Sequence, residues 1–314
     1  MRILHLSDTH LQRTDSPHAH GVNATQALRG MLADLRSMRD IDAIVISGDI
    51  ADDGSLEAYT ATRDIVRAFA LERDAPVIYS TGNHDERRAF TQALGSGHLG
   101  PAGDDRADAV ITSPDTPDTP DTPDGERAAV SLIDGYRFIT LDSLVPGKVY
   151  GRITRTQLDW LRGILHTPAP RGTVLVFHHP PINLDIEIQR VLGLQNPSDL
   201  ADAIRGTDVQ LILCGHFHLQ LFGHLESAPV WVTPGVVNRI DLTAPADTNR
   251  AVRGASATLV HLGTPHAPLF HTLHARDPHT GETVYELDEA QLRSAIAKLR
   301  PEPLTGKQNG RPTP

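Results

Sequence analysis

Three observations predict an α/β fold for this 314-residue chain. Short apolar runs rich in β-branched residues recur along it, as buried strands of a parallel sheet require. Segments with leucines at helical spacing separate the first of these runs, giving the β-α-β-α-β alternation of a parallel doubly wound sheet. Five of the runs end on residues that bind divalent metals: Asp8-Thr9-His10, Gly48-Asp49, Gly82-Asn83-His84-Asp85, His178-His179 and Gly215-His216-Phe217-His218. Loops after parallel strands are where α/β sheets gather ligands, so the five sets are expected to meet at one site.

Taken in order, MRILHLS is the first strand and Asn23 to Met38 the helix after it, with Leu28, Met31, Leu32 and Leu35 on one face and Asn23 or Thr25 as its cap. AIVIS is the second strand, Ser55 opens a helix through Ala70, and VIYST follows as the third strand. From Gly95 to Arg127 the pattern gives way to glycine, aspartate and proline, with a Pro-Asp-Thr repeat between Ser113 and Gly125. A repeat without large apolar side chains cannot bury enough surface to order itself, so residues 103–126 read as an acidic, flexible insertion. AAVSLI and RFITLDS are strand-like, and Leu158, Trp160, Leu161 and Ile164 mark a helix. TVLVF is another strand, Pro197 to Ile204 a short helix capped by Ser198, and VQLILC the strand that leads into Gly215. Further β-like runs (APVWVTP, ATLVHL, LFHTLH, TVYEL) precede a last helix over 288–299, where Asp288 and Gln291 have capping-box spacing. The boundaries expected are a catalytic unit over 1–275, a strand-and-helix extension over 276–300 and a disordered proline- and glycine-rich tail over 301–314.

Composition excludes some classes of function. With 39% hydrophobic and 22% charged residues the chain is an ordinary globular one, without an apolar stretch that could span a bilayer. The first strand leaves no room for a secretory leader, and the lone Cys214 has no partner for a disulfide, so a cytoplasmic location is expected. A formal net charge of −10 without a basic block disfavours general nucleic-acid binding, while a small anionic substrate remains compatible because metal cations supply positive charge locally.

At the strand ends, Asp8 and His10 stand two residues apart, a spacing that puts side chains on one side of an extended backbone; His216 and His218 repeat it. Asp49 offers two carboxylate oxygens and can bridge two ions, with Gly48 letting the backbone turn toward them. Asn83 adds a neutral amide oxygen, and His178 an imidazole. A single Asp-x-His or Gly-Asp carries little weight. Five such sets, each behind its own strand, point to a pair of metal ions. Histidines without that context, including His98, His166, His261, His266, His271, His274 and His279, are assigned to surface or packing roles. Arg87 and Arg88 are read as solvated helix-face residues rather than phosphate contacts.

In order, these blocks resemble those of the calcineurin-like metallophosphoesterases. LDSLVPGKVYGRITRTQLDWL and HHPPINLDIEIQRVLGLQNPSDLADAI extend the resemblance to the class III cyclic-nucleotide phosphodiesterase branch over about residues 1 to 275. The resemblance implies a four-layer αββα sandwich with mixed sheets and the active site at the C-terminal ends of strands. It implies that Asp8, His10, Asp49 and His218 hold one metal while Asp49, Asn83, His178 and His216 hold the other, with His179 a lower-ranked neighbour. His84 would face the phosphate and Asp85 would orient it. The implied cofactors are two ions, iron or manganese with zinc as a third choice, and the implied assembly is a homodimer. The implied reaction is attack of a metal-bound hydroxide on a 3′,5′-cyclic nucleotide, cAMP or cGMP, giving the nucleoside 5′-monophosphate. Two alternatives stand beside it: a phosphodiesterase for a 2′,3′-cyclic nucleotide or glycerophosphodiester, and a catalytically silent scaffold of the same fold.

Overall fold

The computed structural model describes residues 1–18, 20–111 and 125–301; the Pro-Asp-Thr repeat and the 302–314 tail lie outside the described residues. Two mixed sheets pack face to face between helical layers. The first sheet is built on β1 (Arg2–Leu6), β2 (Ala43–Ser47) and β3 (Val77–Ser80), which run parallel, with α1 (Ala24–Asp34) and α2 (Leu56–Leu71) as crossovers. After β3 come α3 (Arg87–Leu94) and the antiparallel β4 (His98–Leu99). The second sheet begins with β5 (Ala109–Val110), β6 (Ala129–Ile133) and β7 (Tyr136–Thr140), joined antiparallel. It continues through α4 (Arg155–Leu165), β8 (Thr173–Val176), α5 (Glu187–Leu192), α6 (Pro197–Ile204), β9 (Val209–Cys214), β10 (Leu221–Leu225) and β11 (Ala228–Val232). Strands β7, β8, β9 and β11 are parallel, and β10 is the antiparallel edge.

Period-two alternation sorts the side chains of the central strands into two cores. Leu4, Leu6, Ile44 and Ile46 face the helices, where α1 contributes Leu28, Met31 and Leu32 and α2 contributes Tyr59 and Val66. Their neighbours Ile3, Ala43 and Val45 face the other sheet and meet Phe138, Val174, Val176, Leu211 and Leu213. On its outer side the second sheet packs Ile139, Leu175, Phe177 and Ile212 against α4 and α6. Strands apolar on both faces are the reason that the sequence showed continuous runs rather than alternation.

The remaining elements are β12 (Arg239–Ile240), β13 (Asn249–Val252), β14 (Ser256–His261), β15 (Leu269–His274), β16 (Thr283–Leu287) and α7 (Glu289–Leu299). β14 pairs antiparallel with β1 and carries β15 on the first sheet. β12, β13 and β16 form a small antiparallel sheet of their own, and α7 packs on α5.

The helix starts follow from their caps: Asn23 Oδ1 accepts from Gln26 N, Ser55 Oγ from Ala58 N, Thr154 Oγ1 from Gln157 N, and Asp288 with Gln291 closes a capping box. The four-layer α/β sandwich with mixed sheets that the resemblance implies is what the chain forms; the β-α-β-α-β alternation at its start builds the parallel part of the first sheet, with α1, α2 and α3 all packed on it. One expectation changes. Ser198 is not a cap, since α6 starts from Asn196 with Pro197 in its first turn. The short helices α3 and α5 escape the periodicity reading because eight and six residues hold too few turns to show it.

Candidate metal centre

Loops after β1, β2 and β3 in one sheet and after β8 and β9 in the other meet at one end of the sandwich. Ser7 Oγ donates to the Ser47 carbonyl at 3.0 Å, and Gly215 N donates to the His178 carbonyl at 3.0 Å. Two glycines make the approach feasible: a Cβ on Gly48, whose φ is +89°, would lie 2.6 Å from His178 Nδ1, and one on Gly82 would lie 2.3 Å from Asp49 Oδ1.

The strands end in left-handed backbone. Asp8, His10, Asp49, His216 and His218 all have φ between +48° and +70°. This corrects the extended-strand argument for the two i, i+2 pairs: their side chains converge because the chain turns at each ligand. Such conformations cost about 1–3 kcal/mol each for residues with a Cβ and persist only where the surroundings fix them. Hydrogen bonds do so here, from Asp8 N to Gly48 O (3.1 Å), His10 N to Asp49 O (3.0 Å) and His216 N to Asp8 Oδ2 (3.0 Å).

The predicted ligands come together. His218 Nε2 lies 3.2 Å from Asp8 Oδ1, His178 Nε2 3.1 Å from Asp49 Oδ2, and His10 Nε2 3.6 Å from Asp49 Oδ2. Asp8, His10 and His218 form one ligand-sized cluster, and Asp8, Asp49 and His178 another.

Each histidine commits its other nitrogen outside the cluster. His10 Nδ1 donates to Asp52 Oδ1 at 3.0 Å, His178 Nδ1 to Ser47 O at 2.7 Å, His216 Nε2 to Leu192 O at 3.1 Å, and His218 Nδ1 to Asn238 Oδ1 at 2.7 Å. These bonds fix the tautomers and turn the remaining lone pairs inward, the arrangement of metal-ligating histidines. His178 Nε2 and His216 Nδ1 then face each other at 3.2 Å, a contact that a proton on His178 satisfies and that a cation held by both nitrogens would replace. Buried His10 Nε2 and Asn83 Oδ1 have no hydrogen-bond partner. A buried unpaired acceptor costs about 1–3 kcal/mol, which a bound cation removes. The donor set therefore fits a pair of cations held by oxygen and nitrogen. The only cysteine, Cys214, is buried in β9 and offers no thiolate to it.

Electrostatics agree. Burial opposes ionisation of Asp8 and Asp49, yet His218 beside the first and His178 beside the second hold both carboxyls well below the ordinary range. Burial likewise disfavours charge on His178, but Asp49 outweighs it and pushes its pKa up to about 9. His216, buried and facing the positive His178, is pushed down to about 3. Two carboxylates thus draw a cation into a cluster that cannot charge all its imidazoles at once.

His84 sits at the open side, its side chain 40% exposed, with Nδ1 3.1 Å from the Asp52 carbonyl and its ring centroid 4.7 Å from that of His10. Asp85 does not orient it by contact. The Asp85 carboxylate accepts from Ile50 N, Ala51 N, Gly82 N and Tyr59 Oη at 2.8–3.1 Å, so it ties the loop after β3 to the loop after β2. Burial, then the neighbouring Asp49 charge, raises its pKa to about 6. The orienting residue is Asp52, which sequence reading missed; it also accepts from Gln12 Nε2 at 3.0 Å and lies 3.6 Å from His18. Its only sequence signal is an aspartate three residues beyond Asp49 in the same loop. Asn238 had no signal at all.

Arg87 is not a solvated helix-face residue. Its Nε donates to buried Asp142 at 2.7 Å. His179 is fully buried behind the cluster, its Nδ1 2.7 Å from Ser143 Oγ and its ring centroid 4.5 Å from that of His216. Its pKa is pushed well down by burial, then by His216 and His178.

Residues 1–220 match the family model of the calcineurin-like phosphoesterases. The chain is 35% identical over 302 residues to a probable cyclic nucleotide phosphodiesterase from Rhodococcus erythropolis, covering 95% of this chain and 91% of that protein. It is 36% identical over 262 residues to a cAMP/cGMP dual specificity phosphodiesterase from Mycobacterium tuberculosis, covering 83% and 75% of the two chains. To the 3′,5′-cyclic adenosine monophosphate phosphodiesterase CpdA of Escherichia coli it is 28% identical over 223 residues, 70% of each.

Proposed function

Because the chain belongs to the calcineurin-like phosphoesterase family, we propose that it is a dinuclear metal-dependent phosphodiesterase that hydrolyses 3′,5′-cyclic nucleotides to nucleoside 5′-monophosphates. The observation that carries this reading is the inward convergence of ring nitrogens and carboxylates from five strand ends, with His10 Nε2 and Asn83 Oδ1 buried and unpaired. Asp8, His10, Asp49 and His218 would hold one ion and Asp49, Asn83, His178 and His216 the other, Asp49 bridging. Without a thiolate, the oxygen and imidazole donors suit manganese, iron or zinc, and the family resemblance favours iron or manganese. When bound, such a pair of ions acidifies water and neutralises phosphoryl oxygens.

The chain's own residues do the rest. Asp8 and Asp49 anchor the centre from the loops after the neighbouring strands β1 and β2, and the outward hydrogen bonds of four histidines keep the donors in place before substrate arrives. His84, with Nδ1 bonded to the Asp52 carbonyl, presents Nε2 as the group that reaches a phosphoryl oxygen or delivers a proton to the departing 3′ oxygen. In the reaction the P–O3′ bond breaks, the oxygen of water ends on phosphorus, and the 3′ oxygen takes a proton. A homodimer belongs to the same reading, supported by the exposed Phe222 on edge strand β10 and Leu269 on edge strand β15, 55% and 46% accessible. Sedimentation velocity checks it, and a monomer at micromolar concentration removes it.

The test is hydrolysis of 3′,5′-cyclic AMP beside 2′,3′-cyclic AMP, glycerophosphocholine and bis(p-nitrophenyl) phosphate, on manganese-loaded protein and on protein stripped by a chelator. The expected result is metal-dependent turnover with the highest kcat/KM on the 3′,5′-cyclic substrate. Preference for another diester would keep the centre and move the substrate; no metal-dependent turnover on any diester would remove the enzymatic reading.

A further inference from the structure

One wall of the metal centre continues into a cleft of about 430 Å³. His216 and His218 form its inner end, and its sides come from parts of the chain outside the five metal-ligand blocks. Ile186 and Leu192, at the start and end of α5, lie on one side. Ile240 and Leu242, at and just after β12, lie on the other, and Tyr285 of β16 also lines it. Ile186 and Leu242 keep 37% and 52% of their surface open, so the cleft presents apolar side chains to solvent.

The charge in the cleft is already matched. Asp241 accepts from Thr243 N at 2.9 Å, from Thr243 Oγ1 at 2.7 Å and from Arg250 Nη1 at 3.3 Å, so it is not a free carboxylate awaiting a cation. Arg250 in turn pairs with Glu286 at 2.7 Å. Apolar sides with a few polar groups and a volume of this order suit a small, largely apolar organic group rather than a second phosphate or a charged headgroup. Two candidate metal ligands line the inner end, so the cleft lies next to any group attached to a phosphate at the centre.

We propose that this cleft receives the nucleobase of the substrate, and that the small β12-β13-β16 sheet together with α5 supplies base affinity to a metal centre that otherwise recognises only the phosphodiester. The inference rests on the proposed function and deepens it. It assigns Tyr285 and Leu242 as specificity-determining residues that touch the base and not the reacting atoms. The base side of the substrate is then recognised by β16 with α5 and β12, and the phosphate side by the loops that carry the metal ligands and His84.

The experiment uses the full chain loaded with manganese and two variants from separate elements, Tyr285→Ala and Leu242→Asp, with Leu71→Ala on the exposed side of α2 as a control. KM and kcat are measured on 3′,5′-cyclic AMP, metal content is measured on each protein, and inhibition of bis(p-nitrophenyl) phosphate hydrolysis is compared for 5′-AMP and ribose 5-phosphate. Binding contributed away from the reacting atoms appears in KM. The expected result is a roughly tenfold rise in KM for both variants with kcat within about threefold and metal content unchanged, the control behaving as wild type. In wild type 5′-AMP should inhibit at least about tenfold more strongly than ribose 5-phosphate, and both variants should erase that difference. Equal inhibition by the two phosphates in wild type, or unchanged KM in both variants, overturns the proposal. So does a parallel loss of metal and kcat, which would make these residues supports of His216 and His218. If wild type prefers a different diester, the proposed function fails while the inhibition ratio still decides the cleft.

Discussion

Asn83 and His84 are adjacent in sequence, yet the structure gives them separable roles. Asn83 Oδ1 is buried and unpaired, so its removal takes away a donor that nothing replaces. Asn83→Ala is expected to lower metal content from two ions toward one per chain and turnover by about 10–100-fold, read by elemental analysis and initial rates. Wild-type activity at full metal content would contradict the assignment. His84 already bonds to the Asp52 carbonyl and stands at the open face. His84→Ala should therefore keep two ions while kcat falls by about 10²–10⁴-fold. A proportional loss of metal would make His84 a ligand instead.

The working unit of the site is a strand end followed by a left-handed turn. Five of its residues take that conformation, and glycines at 48, 82 and 215 clear the space for their neighbours. A Cβ at Gly82 would stand 2.3 Å from Asp49 Oδ1 and 2.4 Å from Asp49 N, and backbone of this kind cannot move aside cheaply. Gly82→Ala should weaken metal affinity by at least about tenfold while the far-UV circular dichroism stays native, because the clash falls on a ligand and not on a core layer. Unchanged affinity in a metal titration would mean that the bridging carboxylate has room to shift.

At the scale of the molecule, His98 joins the two sheets. Fully buried in β4, it places Nδ1 2.7 Å from Ser131 Oγ and Nε2 3.1 Å from Thr140 Oγ1, both on the second sheet. Burial lowers its pKa to about 3. A histidine depressed in the folded state binds its proton first in the unfolded chain, so stability falls as pH drops below the unfolded value near 6.5 and continues to fall until the folded value is reached. For this one group the loss between pH 7 and pH 5 is about 2 kcal/mol. Metal-free protein, in which ion release cannot contribute, should lose that much more stability in urea over this interval than metal-free His98→Asn. Parallel pH profiles for the two would show that His98 is not depressed.

The sequence by itself determined the residues with metal-binding chemistry and the strands that end in them. Asp8, His10, Asp49, Asn83, His178, His216 and His218 could be named because ligand chemistry belongs to side-chain type and a buried strand declares itself by local composition. Helix caps at Asn23, Ser55 and Asp288 were legible for the same reason, each being a bond between residues three apart. What only the tertiary structure decided is pairing across distance. The order of strands within the two mixed sheets is one such case, because it depends on which faces meet, and apolar runs buried on both faces carry no mark of their partners. Asp52 behind His10, Asn238 behind His218, the Leu192 carbonyl behind His216 and the Asp142–Arg87 pair all join residues 20 or more apart. Neither periodicity nor spacing encodes such contacts, because an imidazole can donate its second hydrogen bond to any carbonyl or carboxylate that the fold happens to bring to it.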